Sequence, residues 1–62
     1  MDIIKVGNLI AQRRKALSLT QEELGERLGV SAKAVSKWER GLSCPDVSLF
    51  SPLSVLFLCV NF

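Results

Sequence analysis

The stretch from Leu19 to Gly41, LTQEELGERLGVSAKAVSKWERG, contains two helix starts and two glycine stops within 23 residues. Thr20 followed three residues later by Glu23 is a capping box, in which each side chain satisfies the other residue's backbone N–H. Leu19 before the cap and Leu24 at the fourth helical position form a hydrophobic staple, so a helix is predicted to start at Gln21. Leu24 and Leu28, spaced i and i+4, give it a buried stripe, and Gly29 suits the left-handed conformation that ends a helix. Ser31 is a good N-cap for a second helix from Ala32 to about Arg40, with Val30 and Val35 as another staple and Gly41 as its stop. Two helices joined by so short a turn must cross steeply.

Upstream, Ile3, Val6, Ile10 and Leu17 recur at spacings of three, four and seven, which predicts a first helix over 3–17. The run Arg13, Arg14, Lys15 near its C-terminus suits the negative end of the helix dipole. Downstream, LSCPD is predicted to be a loop, since the residue before Pro45 is pushed away from helical geometry. A fourth helix is expected to start near Asp46 or Ser48, with Leu49, Leu53 and Leu56 inward. Ser48 is the better cap on paper, because Pro52 then falls near the first turn. Beyond Leu56 the run FLCV has no period that separates helix from buried strand.

The 62 residues suffice for one domain, taken as 1–62, and a chain of this size buries a modest core. The net charge of +2 is too mild to argue for a nucleic acid or membrane partner by itself. Its distribution says more: every charged side chain lies at or before Asp46, leaving the last sixteen residues, VSLFSPLSVLFLCVNF, uncharged. This tail is shorter than the roughly 18 apolar residues of a membrane span and contains Pro52, so no membrane helix is expected. Asp2 and Lys5 interrupt the first apolar residues, which argues against a signal peptide. Cys44 and Cys59, with no histidine in the chain, offer neither a zinc site nor a redox motif. Reduced thiols in a cytoplasmic protein are the expectation, with no metal, no cofactor and no small-molecule ligand.

On the helix predicted from Ala32, Val35 and Trp38 share one side, while Lys33, Ser36, Lys37 and Arg40 lie on the other. A charged exposed face is common and needs no function. The helix before it changes the weighing, because Leu24 and Leu28 would pack on Val35 and Trp38 and hold the basic face outward. No histidine, no paired acidic cluster and no phosphate-cradling glycine loop supports an enzyme. Aromatic residues are too few and too inward-facing for base stacking on RNA.

LTQEELGERLGVSAKAVSKWERG resembles the helix-turn-helix of the Cro/C1-type, or XRE-like, family of bacterial and phage transcriptional regulators. The likeness extends over RRKALSLTQEELGERLGVSAKAVSKWERGLSCPDVSL, more than half of the chain. It implies an all-α fold, a compact four- to five-helix bundle of the lambda-repressor-like kind, that binds double-stranded DNA as a homodimer on an inverted repeat. It further implies that Ala32, Lys33, Ser36 and Lys37 face base edges in the major groove. Gln21, Ser31 and Arg40, with the backbone of Ser43 and Cys44, match phosphate-facing positions. Arg14 and Glu39 match an ion pair that joins the first helix to the end of the third, and Trp38 matches an inward apolar position.

Three departures from the family pattern stand out. Arg13 occupies a position commonly held by leucine, so either its side chain snorkels outward or the first helix packs less tightly. Gly25 replaces the usual alanine, at about 1 kcal/mol of helix propensity. After PDVSLFSPLS the family continues with a glycine turn and a fifth helix, whereas this chain reads VLFLCVNF. The apolar segment 46–62 is therefore a candidate homodimer interface, or alternatively a surface for another protein in an interaction module built on the same helices. A truncated or altered end that folds back or aggregates is the plainer reading of the same residues.

Overall fold

A computed structural model describes residues 2–58, and all of the regular structure among them is helical. The elements are α1 (Ile3–Ala16), α2 (Gln21–Leu28), α3 (Ala32–Glu39), a 3-10 turn (Val47–Leu49) and α4 (Phe50–Leu58). The expected bundle thus has four helices among the described residues, and α4 carries through the ambiguous Phe57 and Leu58. The remaining uncertain residues, Cys59 to Phe62, lie outside the described part.

Local chemistry sets the boundaries. Asp2 caps α1, its Oδ1 accepting from the backbone of Ile4 at 3.0 Å and Lys5 at 3.2 Å. The Thr20 and Glu23 box is closed in both directions: Thr20 Oγ1 accepts from Glu23 N at 3.0 Å, and Glu23 Oε1 accepts from Thr20 N at 2.9 Å. Those bonds, the one to the Thr20 backbone first, hold the Glu23 carboxyl below its ordinary range. Gly29 takes φ 74°, and the N–H groups of Gly29 and Val30 donate to the carbonyls of Glu26 and Gly25. Ser31 Oγ caps α3 through Ala34 N at 3.1 Å. At the far end Gly41, with φ 73°, donates to Trp38 O and Leu42 donates to Lys37 O, the paired bonds of a Schellman stop.

Two boundaries differ from the sequence reading. The first helix ends at Ala16 rather than Leu17, where Ser18 turns the chain with a left-handed φ of 59°. Asp46, not Ser48, caps the last helical segment: its Oδ2 accepts from Ser48 N and from Ser48 Oγ, the latter at 2.6 Å. The 3-10 turn lets the chain coil before Pro52, which then sits in the first turn of α4. Gly25 trades helix propensity for close packing. A Cβ there would lie 2.6 Å from the Val30 carbonyl oxygen, a backbone atom, so the tight turn requires the space that glycine leaves. An alanine would gain about 1 kcal/mol of propensity and lose about 1 to 3 kcal/mol to overpacking.

The core is Ile10, Leu24, Val35 and Trp38, with Leu24 and Val35 fully buried. One helix therefore supplies two of the four, and α3 is the element against which both α1 and α2 pack. Burying a side chain of this size contributes about 1.5 to 3 kcal/mol. Gly7, buried on α1, permits the closest approach: a Cβ there would run into the Trp38 carbonyl oxygen. Leu53 is buried on α4, and Leu49, Leu56 and Phe57 pack on the edge of the core. Arg13 is half-buried, between the two outcomes its position allowed.

Candidate nucleic-acid interface

The inward side of α3, Val35 and Trp38, is held by Leu24 of α2 and Ile10 of α1. At 100° per residue this turns Lys33, Ser36, Lys37 and Arg40 to the opposite side within one arc. Lys33, Lys37 and Arg40 are exposed, whereas Ala32 and Ser36 are half-buried. Arg40 folds back along the helix, its Nε donating to Ser36 O at 3.3 Å. The Ser31 oxygen accepts from Ala34, and its hydroxyl hydrogen remains a donor at the start of α3. Ser43 and Cys44 are half-buried in the loop after the Schellman stop.

The end of α3 is fixed by a clasp. Arg14 Nε donates to Glu39 Oε2 at 2.6 Å and Arg14 Nη2 to Glu39 Oε1 at 3.0 Å, a two-pronged pair. The third arm, Nη1, donates to Leu19 O at 2.8 Å, while Leu19 N donates back to Arg14 O at 3.1 Å. This exchange holds the turn through left-handed Ser18, a conformation that is unfavourable for a residue with a Cβ. The side chains are 12% and 8% exposed, so the pair is sheltered on both sides. Burial raises the Glu39 carboxyl, but the bonds from Arg14 and Gln21 with the Arg14 charge outweigh it and leave the group below its ordinary range. The bond to Glu39 raises Arg14 against the opposing effect of burial.

Gln21 occupies a place that the sequence did not foretell. Its Nε2 donates to Glu39 Oε1 at 3.0 Å, joining the clasp across 18 residues of chain. Gln21 as a whole is half-buried at the start of α2. No spacing rule links these two residues. Gly7 does carry a sequence signal, since a lone glycine three residues before a core isoleucine marks close packing.

Two short helices, the second capped by serine and crossing the first after a glycine turn, with a basic face held outward, define the helix-turn-helix class. The helix-turn-helix family matches residues 10–57, and the chain belongs to that family. Among its relatives is the HTH-type transcriptional activator BcrR of Enterococcus faecalis, 42% identical over 48 residues that cover 77% of this chain and 24% of the relative. Repressor protein C2 of Salmonella phage P22 is 39% identical over 54 residues, 87% of this chain and 25% of the relative. The HTH-type transcriptional regulator DicA of Escherichia coli strain K12 is 39% identical over 56 residues, 90% of this chain and 42% of the relative. The chain spans about a quarter to under half the length of these three curated relatives. No solved structure matches it significantly. No helix among the described residues is long and apolar enough to cross a membrane.

Proposed function

We propose that residues 1–62 act as one sequence-specific, double-stranded DNA-binding unit of a cytoplasmic transcriptional regulator, with α3 lying in the major groove. The single observation that carries this reading is that Lys33 and Lys37 stand exposed on a helix whose opposite side is buried. Lysine donates to guanine O6 or N7, serine to several bases, and alanine meets a thymine methyl, so Lys33, Lys37, Ser36 and Ala32 form the reading set. Phosphates are gripped on either side by Gln21 and Ser31 at the helix starts and by Arg40 with the Ser43 and Cys44 backbone. Arg14 and Glu39 hold the frame. Two copies on an inverted repeat, joined through segment 46–62, suit the uncharged surface of the 3-10 turn and α4, where Val47 and Val55 are 77% and 62% exposed. Repression by occupying an operator is the simplest action for such a unit.

The same uncharged surface favours one rival, an interaction module in which α4 binds another protein. Selection of bound duplexes from a random library at about 150 mM salt separates the two, because nonspecific attraction is then partly screened. Enrichment of an inverted repeat supports the proposal, and a chain that enriches nothing while binding a protein partner supports the rival. On an enriched site Lys33→Ala or Lys37→Ala is expected to cost about 1 to 3 kcal/mol and relax the preference at one position. Equal loss on all sequences would reduce these lysines to phosphate contacts.

A further inference from the structure

Glu39 is an anion beside a surface proposed to meet phosphates, an unfavourable place unless its charge is covered. Arg14 covers it from one side with two donors, and Gln21 Nε2 covers Oε1 from the other at 3.0 Å. Because a carboxylate can only accept, the contact dictates which end of the Gln21 amide faces it: the nitrogen, with one of its two hydrogens. The second hydrogen is left without the carboxylate as partner at the start of α2, where the Gln21 and Glu22 N–H groups have no acceptor within the helix and the Thr20 side chain takes only that of Glu23.

We propose that Glu39 is a positioning residue for DNA binding: it holds the Gln21 amide so that the remaining N–H is presented to a phosphate. This rests on the DNA-binding reading and adds a coupling to it. Residues 21 and 39 sit at the start of α2 and the end of α3, so one hydrogen bond ties the grip at one helix to the placement of the other. A glutamine held in one rotamer loses less freedom when it binds than one that samples many.

The test is a double-substitution cycle read by affinity for a mixed-sequence duplex of about 20 base pairs at about 50 mM salt, where phosphate contacts dominate. Gln21→Leu keeps the approximate bulk and removes both donors; Glu39→Gln removes the charge that orients them. Gln21→Leu is expected to weaken binding about 3- to 10-fold in the wild-type chain, the size of one hydrogen bond, and less than about 2-fold in the Glu39→Gln chain. Measuring the same substitution on both backgrounds cancels the general gain in affinity from losing a negative charge. An equal loss on both backgrounds, or no loss in the wild type, overturns the proposal. So does tighter binding by Glu39→Gln that disappears when Gln21 is also replaced, since that would mean Glu39 competes with DNA for the amide.

Glu39→Gln also loosens the clasp, so a second measurement uses the unaltered chain. In 1H–15N spectra the Gln21 side-chain protons should be further apart in shift and slower to exchange with water than those of exposed Gln12. A Gln21 pair indistinguishable from Gln12 overturns the proposal without any variant. Binding by the wild type on the same duplexes keeps the two failures distinct. Wild-type binding with no coupling between 21 and 39 sinks the positioning role alone, and no binding by the wild type sinks the DNA reading with it.

Discussion

The α2 and α3 pair and the shorter segment from Val47 to Leu58 are both helical, yet they are specified in opposite ways. The pair has serine or threonine caps, glycine stops, two fully buried side chains and charges that either face outward or, at Glu39, are paired. Each local choice agrees with the packing, which is what lets a short chain settle on one arrangement. The later segment has one cap, at Asp46, a buried Leu53 as the only buried leucine among its described side chains, and no charge on any face. Nothing in its chemistry distinguishes outside from inside beyond a few serines. A segment of this kind can be helical and still leave its partner undefined, whereas the pair defines both its core and its outward face.

That contrast can be broken or sharpened by substitution. Leu24→Ala, at the centre of the pair, should cost about 3 kcal/mol in urea unfolding followed by Trp38 fluorescence, a large share of a small domain's stability. A loss under about 1 kcal/mol would mean the pair is not the better-packed region. Gly7→Ala is next: the methyl meets the Trp38 carbonyl, and the clash should outweigh a propensity gain of about 1 kcal/mol, for a net loss of about 2 kcal/mol. Unchanged or increased stability would show that α1 can slide on α3 without penalty.

Acid should affect the clasp in the same direction. The folded Glu39 carboxyl lies below its ordinary value, so its contribution is complete above the unfolded pKa of about 4.3 and lost as pH falls through the lower folded value. Glu23 and Asp46 are shifted the same way and add to the decline. Stability measured from pH 7 down to pH 3 should therefore fall less steeply for Glu39→Gln than for the wild type. Parallel curves would remove Glu39 from the acid response. The smallest effect belongs to the other region: Val55→Ser, at an exposed position, should change unfolding by less than about 0.5 kcal/mol. If the α4 surface joins two copies, the same substitution should nonetheless weaken self-association in sedimentation.

The contrast also explains what could be read in advance. Thr20, Gly29, Ser31 and Gly41 announce their roles because a cap or a left-handed turn depends on a few adjacent residues. The inward set Leu24, Val35 and Trp38 follows from helical period alone. Ser18 did not announce itself, since its left-handed turn is held by Arg14 through Leu19 and not by its own preference. The Gln21 contact with Glu39 joins residues far apart in the chain, and it exists only because α3 crosses back over the start of α2. For α4, Asp46 and Ser48 were both adequate caps, and only the 3-10 turn decides between them.

The length of α3 sets a limit on discrimination. Eight residues rise about 12 Å, comparable to the width of the major groove and to about four base steps. Four fully read base pairs carry about eight bits, so such a site recurs by chance about once in 256 base pairs, far too often among the ~10⁶ or more competing positions of a genome. Reading eight pairs with two copies would reduce chance matches to about one in 65,000. For the proposed reader, finding a single address is therefore an arithmetic problem before it is a chemical one, and one α3 alone does not carry enough information to solve it.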